Sequence, residues 1–198
     1  MTAHHTPPPD DTTLWERIRT GDRDAFADIF DRHAGAVYGH LLRRSGDSTE
    51  AEDLTSAVFL TAWRRRADIT IDRGSALPWL LGTANHTLNN SRRALRRHRA
   101  LIAKIAPPPD EHDHADDVAD RIDEQAKAAE LRRTVASLPR LEREVVELCS
   151  FAGLDQQAAA VALGTSPATV KSRLHRARGR LRTHLTPPTE TLTSVETS

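Results

Sequence analysis

The sequence predicts an all-α fold made of two small helical modules, and three observations predict it. Apolar residues recur at three- and four-residue spacing along most of the 198-residue chain, with no strand-like alternation. A Pro-Pro-Pro run at 107–109, followed by the acidic stretch EHDHADDVAD, separates two such helical regions. Near the C-terminus a Gly-Thr-Ser-Pro corner, Gly164 to Pro167, divides a short small-residue helix from a longer basic one.

Residues 1–11 are polar and Pro-rich and are expected to be disordered. The first module is expected from Thr12 to Ala106. Phe26, Phe30, Val37 and Leu41 form one helical stripe, which Gly46 and Asp47 break. Thr49 and Glu52 have the spacing of a capping box and should open the next helix. That helix carries Leu54, Val58, Phe59, Ala62 and Trp63. It ends in Arg64, Arg65 and Arg66, where cations suit the negative end of the helix dipole. A loop follows, Ala67 to Ala76. Pro78 is tolerated in a first helical turn, so the next helix starts there and runs to about Lys104. Its apolar face is Leu81, Ala84, Leu88 and Leu95.

Residues 107–116 read as a linker, and helical pattern resumes at 117 with Val118, Ile122, Leu131 and Val135. Pro139 precedes a helix from Leu141 to Ser150. Ala158, Val161, Ala162 and Leu163 form the compact helix before the corner. Gly164 sits where a left-handed residue closes a helix, Ser166 where a cap belongs, and Pro167 at a first helical position. The second module thus spans 117–185, and 186–198 is a polar tail.

Charge is balanced but segregated. There are 28 Lys+Arg and 28 Asp+Glu, for a formal net charge of zero. Arg92 to Arg99 and Lys171 to Arg182 are basic, whereas Asp110 to Glu124 is acidic. That pattern suits a protein that touches nucleic acid in some places and avoids it in others. The one cysteine, Cys149, forms no internal disulfide and reads as a small core residue. No apolar run approaches the roughly 20 residues of a membrane span, and the N-terminus has no secretory signal, so a cytoplasmic protein is expected. No nucleotide loop or catalytic triad is present, and His112 and His114 have no distant third ligand. No cofactor, no metal and no enzymatic activity are therefore expected.

Two faces carry the chemistry. From Pro167 onward, Val170, Leu174, Ala177 and Leu181 make a dry stripe, which turns the cations of this helix outward toward a major groove. Ala168, Ser172 and His175, flanked by Lys171 and Arg176, should reach base edges, while Arg173 and Arg178 hold phosphates. On the helix from Pro78, His86, Asn90, Arg93 and Arg97 share one face, with Asn89 beside them. These residue types can read bases or hold phosphates.

With AEDLTSAVFLTAW, LPWLLGTANHTLNNSRRALRRHR, LPRLEREVVEL and GTSPATVKSRLHRARGRLR in that order, the chain resembles an extracytoplasmic-function (ECF) sigma factor of the sigma-70 family over about Ala25 to Arg182. The resemblance implies a subunit that binds core RNA polymerase and directs promoter-specific initiation. It implies an anti-sigma factor as a further partner, and no membrane. It places polymerase binding on the helix after Glu52, through Asp53, Leu54, Val58 and Phe59. It places −10 recognition and melting on the loop Ala67 to Ala76 and on the face with His86, Asn89, Asn90, Arg93 and Arg97. It places −35 recognition on the helix from Pro167. Ala158 and Ala159 depart from the family pattern, removing a capping-box partner for Asp155 and thinning the core of that helix. Two other readings fit the residues. One is a stand-alone helix-turn-helix regulator. The other is a sigma-like interaction protein that starts no transcripts.

Overall fold

The computed structural model describes residues 9–71, 74–102, 130, 131 and 133–185, and every regular element among them is helical. The linker, the His112 and His114 pair and the polar tail lie outside the described residues. In the first module, α1 (Asp11–Arg19), α2 (Arg23–Ser45), α3 (Ser48–Arg64) and α4 (Leu77–Ile102) pack together, α2 touching each of the others. In the second, α5 (Arg140–Val146) runs into a wider π turn, Glu147–Phe151, followed by α6 (Gln156–Leu163) and α7 (Pro167–Leu185).

Capping explains where these helices start. Asp10, Asp22, Asp47 and Asp155 each accept a hydrogen bond from a first-turn amide. The cap of α3 is therefore Asp47, at 2.8 Å from the Glu50 amide, and not Thr49. Asp47 follows the left-handed Gly46 that closes α2, so it already has the extended backbone a cap needs. The cap of α6 survives Ala158, because Asp155 needs only the backbone N–H of that residue, at 2.7 Å. Gly164 is left-handed, and Ser166 accepts from the Thr169 amide, so the corner forms as expected.

The core is built from most of the expected stripes, but Phe30, Leu95, Leu131 and Val161 are exposed. Leu81, Ala84 and Leu88 are fully buried, but Leu95 is 49% exposed. Beyond Arg92 every residue of α4 is exposed among the described residues. Phe30 is 42% exposed, whereas Val37 and Leu41 of its stripe are buried. Cys149 is half-buried, and burial pushes its thiol pKa up, so it is a poor nucleophile.

The N-terminal order extends further than the composition indicated. α1 begins at Asp11, one residue before Thr12, and this charged residue is buried. Its carboxylate pairs with Arg32, lies 2.6 Å from His33 Nε2, and accepts from the Ala76 amide at 2.7 Å. Asp11 thus fastens α1 and α2 to the residue just before α4.

Candidate nucleic-acid interface

On α7, Val170 and Ala177 are fully buried and Leu174 nearly so, which seats the helix on α5 and α6. The opposite side is set by that seat. Ala168, Lys171, Ser172, His175, Arg176 and Arg178 are exposed, and Arg173 is half-buried. Two of the cations also serve the module itself. Arg180 Nε lies 3.1 Å from Glu142 and Arg176 Nε 4.0 Å from it. Arg176 is thus partly held toward α5, while Lys171, Ser172 and His175 form the freest part of the face.

On α4 the structure brings together four of the five expected residues. His86, Asn90, Arg93 and Arg97 are exposed on one face, and Asn90 Nδ2 lies 2.8 Å from His86 Nε2. Asn89 departs from them. It is half-buried, and its amide lies 3.5 Å from Glu144 of the second module. The flank of α4 on the Asn89 side is held by Asn85, whose Oδ1 receives the imidazole N–H of buried His40 at 2.7 Å and also a bond from Arg44. Burial holds the His40 pKa down at about 4, so this ring is neutral and acts as a wedge between helices rather than as a charge. Trp79 is half-buried and packs against Trp15 in a tilted arrangement, with ring centroids 6.4 Å apart.

A third surface lies on α3. Asp53 is exposed, but Leu54, Val58 and Phe59 are 8%, 0% and 3% exposed. Leu54 and Val58 are core residues here, because they lie on the face that α3 turns to its neighbours. Phe59 sits under Phe26 and Phe30 in edge-to-face contacts, at 6.3 and 4.7 Å between centroids. The apolar side chains that reach solvent are Phe30 and Leu60, the latter 49% exposed. With Phe26, Phe59 and Trp63 they line a shallow aromatic groove edged by Arg23. Sequence reading missed both. Leu60 carried a signal, since it falls outside the three-and-four spacing of Leu54, Val58 and Ala62. Phe30 did not, because its spacing matches the buried stripe.

Among the described residues, no group of acidic, cysteine and histidine side chains could hold a metal ion. No described helix is long and apolar enough to cross a membrane.

Comparison with known proteins agrees with this geometry. Residues 29–99 match the model of sigma-70 region 2, and residues 128–181 match that of sigma-70 region 4. The chain is 34% identical to the ECF RNA polymerase sigma factor SigK of Mycobacterium ulcerans over 176 residues, covering 85% of this chain and 90% of that one. It is 29% identical to the ECF RNA polymerase sigma factor RpoE of Cereibacter sphaeroides over 184 residues, covering 88% of this chain and 97% of that one. In fold it is similar to CnrH as seen in complex with the cytosolic domain of CnrY, with a TM-score of 0.66 at 23% identity over 88% of this chain and 96% of that one. It is also similar to the sigma factor RpoE of Bartonella quintana in complex with the anti-sigma factor NepR, with a TM-score of 0.59 at 22% identity over 80% of this chain and 94% of that one. With regions 2 and 4 matched in order and SigK aligned along most of both chains, this protein belongs to the ECF sigma factors of the sigma-70 family.

Proposed function

We propose that this chain binds core RNA polymerase through the aromatic groove between α2 and α3, reads and opens the −10 element with α4, and reads the −35 element with α7. The observation that carries the reading is the presence of two separate outward polar faces on one chain, on α4 and α7, each backed by a buried apolar stripe. A stand-alone repressor needs one such face. Opening DNA demands no bond chemistry. The protein captures unstacked bases, which offsets an unpairing cost of a few kcal/mol. The chain is accordingly not an enzyme in its own right and acts in the cytoplasm. An anti-sigma factor is a fitting further partner, since the solved relative RpoE of Bartonella quintana was captured with the anti-sigma factor NepR.

The −35 assignment rests on Lys171, Ser172 and His175, with Ala168 at the helix start and Arg173, Arg176 and Arg178 holding the backbone. Run-off transcription with purified core polymerase on genomic fragments should yield discrete start sites. With a randomised −35 library, Lys171→Ala should change the preferred base at one position, lowering discrimination there by about 1–3 kcal/mol. An unchanged library preference would reject α7 as the reader.

The polymerase assignment moves outward with the structure. Asp53 keeps its place, Phe59 supports the groove from beneath, and Phe30 and Leu60 make the contact. Phe30→Ser with Leu60→Ser should leave helicity intact and weaken core binding at least tenfold, about 1.4 kcal/mol or more. Co-elution with core polymerase at undiminished affinity would remove this surface from the reading.

A further inference from the structure

Between α4 and α5 lies a cleft dominated by one kind of side chain. Arg44, Arg92, Arg93, Arg96, Arg140 and Arg143 all line it. Helical spacing brings them there. Arg92, Arg93 and Arg96 lie three and four positions apart, so one face of α4 presents them together. Arg140 and Arg143 are three apart on α5 and share a face in the same way. The innermost of the six is Arg44, 3% exposed at its side chain, with Nε 3.2 Å from Glu147 and Nη2 3.8 Å from Glu144. Its guanidinium also donates to Asn85, and its carbonyl accepts from Arg92.

The positive charge of this cleft is not balanced from within. Among the described residues, Glu144 and Glu147 are the carboxylates within ion-pair distance of its arginines, and both are already occupied. Glu144 takes Arg140 at 2.9 Å and the Asn89 amide at 3.5 Å besides Arg44. Arg93 and Arg96 have no carboxylate partner among the described residues, and the Nε of Arg143 is buried without an acceptor. The crowding reaches Arg44. Burial lowers its pKa, Glu147 and Glu144 oppose that, and Arg92 and Arg143 lower it further. Six guanidiniums around one cavity repel one another until an anion sits among them.

Shape decides which anion. The cavity is about 510 Å³, within the roughly 300–1,000 Å³ of small-molecule sites. It has a wall on each side, α4 and α5, so a DNA duplex is too wide to enter. A lone carboxylate pairs with one guanidinium fork, whereas linked phosphates span several.

We infer that this cleft is a binding site for a small polyphosphate anion, held between Arg92, Arg93 and Arg96 of α4 and Arg140 and Arg143 of α5, with Arg44 beneath. His86 and Asn90 stand at its exposed edge, 2.8 Å apart, where a nucleoside carried on the phosphates meets hydrogen-bonding groups. The site shares His86, Asn89, Asn90 and Arg93 with the proposed −10 face. It does not rest on that reading, because a free anion needs only the donors.

Titration calorimetry on the full chain tests this with inorganic tripolyphosphate and with ATP, without magnesium. At about 0.15 M salt, charge attraction is screened beyond about 8 Å, so a diffuse basic surface binds poorly and a built cleft still binds. Both probes should give saturable one-to-one binding. Equal affinities assign the site to the phosphate chain alone, and ATP at least tenfold tighter adds the nucleoside edge to it. Arg96→Ala with Arg140→Ala removes one exposed cation from each wall and should weaken tripolyphosphate at least tenfold. Arg93→Ala with Arg96→Ala, which breaks no ion pair among the described residues, should do the same. Arg19→Ala with Arg65→Ala removes equal charge from exposed positions outside the cleft and should leave the affinity within twofold. No saturable binding to the wild type, wild-type affinity in either cleft variant, or equal weakening in the variant outside the cleft overturns the site.

Discussion

Asp11→Ala should be among the most destabilising single substitutions in this chain, lowering the unfolding free energy by about 3–5 kcal/mol. The carboxylate is buried and serves three donors at once, Arg32, His33 and the Ala76 amide. Removing it leaves the buried His33 ring and the Ala76 amide without their acceptor and deprives Arg32 of its carboxylate, and that loss exceeds the value of any one contact. The pH dependence follows from the same geometry. Burial pushes the Asp11 pKa up, but the His33 hydrogen bond, the Ala76 amide and the nearby positive charges outweigh it and hold it from 3.8 down to about 2. A carboxyl depressed in the folded state stabilises above its unfolded value, and that contribution is lost as pH falls through the folded value. Asp11 should therefore supply about 2.5 kcal/mol above pH 4, disappearing toward pH 2. Urea titrations between pH 2 and 7 check this. Wild type and Asp11→Asn should converge at the acid end, and a constant gap between them would show that the charge is not what stabilises. The effect should also reach function, because Ala76 ends the loop proposed to meet the −10 element and its carbonyl accepts the Leu80 amide at the start of α4.

The second large effect should come from Arg93→Ala with Arg97→Ala. Both arginines are exposed, beyond the part of α4 that neighbours cover, so their loss costs the fold little. Each phosphate contact removed lowers the salt slope of binding by about 0.7–0.9. The double variant should flatten the slope by about 1.4–1.8 and weaken promoter binding by about 15–30-fold near 0.15 M salt. Asn90→Ala should differ in kind, changing which −10 bases are preferred while leaving the slope nearly unaltered. Salt-dependent promoter binding by the assembled holoenzyme measures the slope, and permanganate reactivity of unpaired thymines measures opening. If neither quantity moves in the double variant, this face of α4 is only solvated.

Much of this is legible in the sequence. The helix stripes, the left-handed Gly164, the cap at Asp155 and the dry back of α7 all depend on residues within a few positions of one another. So does the outward face of His86, Asn90, Arg93 and Arg97, which follows from helical spacing once Leu81 and Leu88 are turned inward. Where the reading slipped locally, a competing residue intervened. Asp47 took the cap expected of Thr49, because Gly46 had already set its backbone.

The sequence alone thus establishes the helices, the helix-turn-helix corner and the two polar faces, since periodicity and capping act over a turn or two. It does not establish which apolar positions stay uncovered or which charges are buried. Phe30 and Leu95 lie on core stripes yet reach solvent, because no described helix is placed over them. Asp11 looks like part of a polar leader, yet it is buried because Ala76, 65 positions away, needs an acceptor. Arg44 reads as an ordinary C-terminal cation of α2, yet Glu144 and Glu147 from the far module enclose it. Burial of a charge is a property of its partners, and here those partners arrive only when distant helices pack.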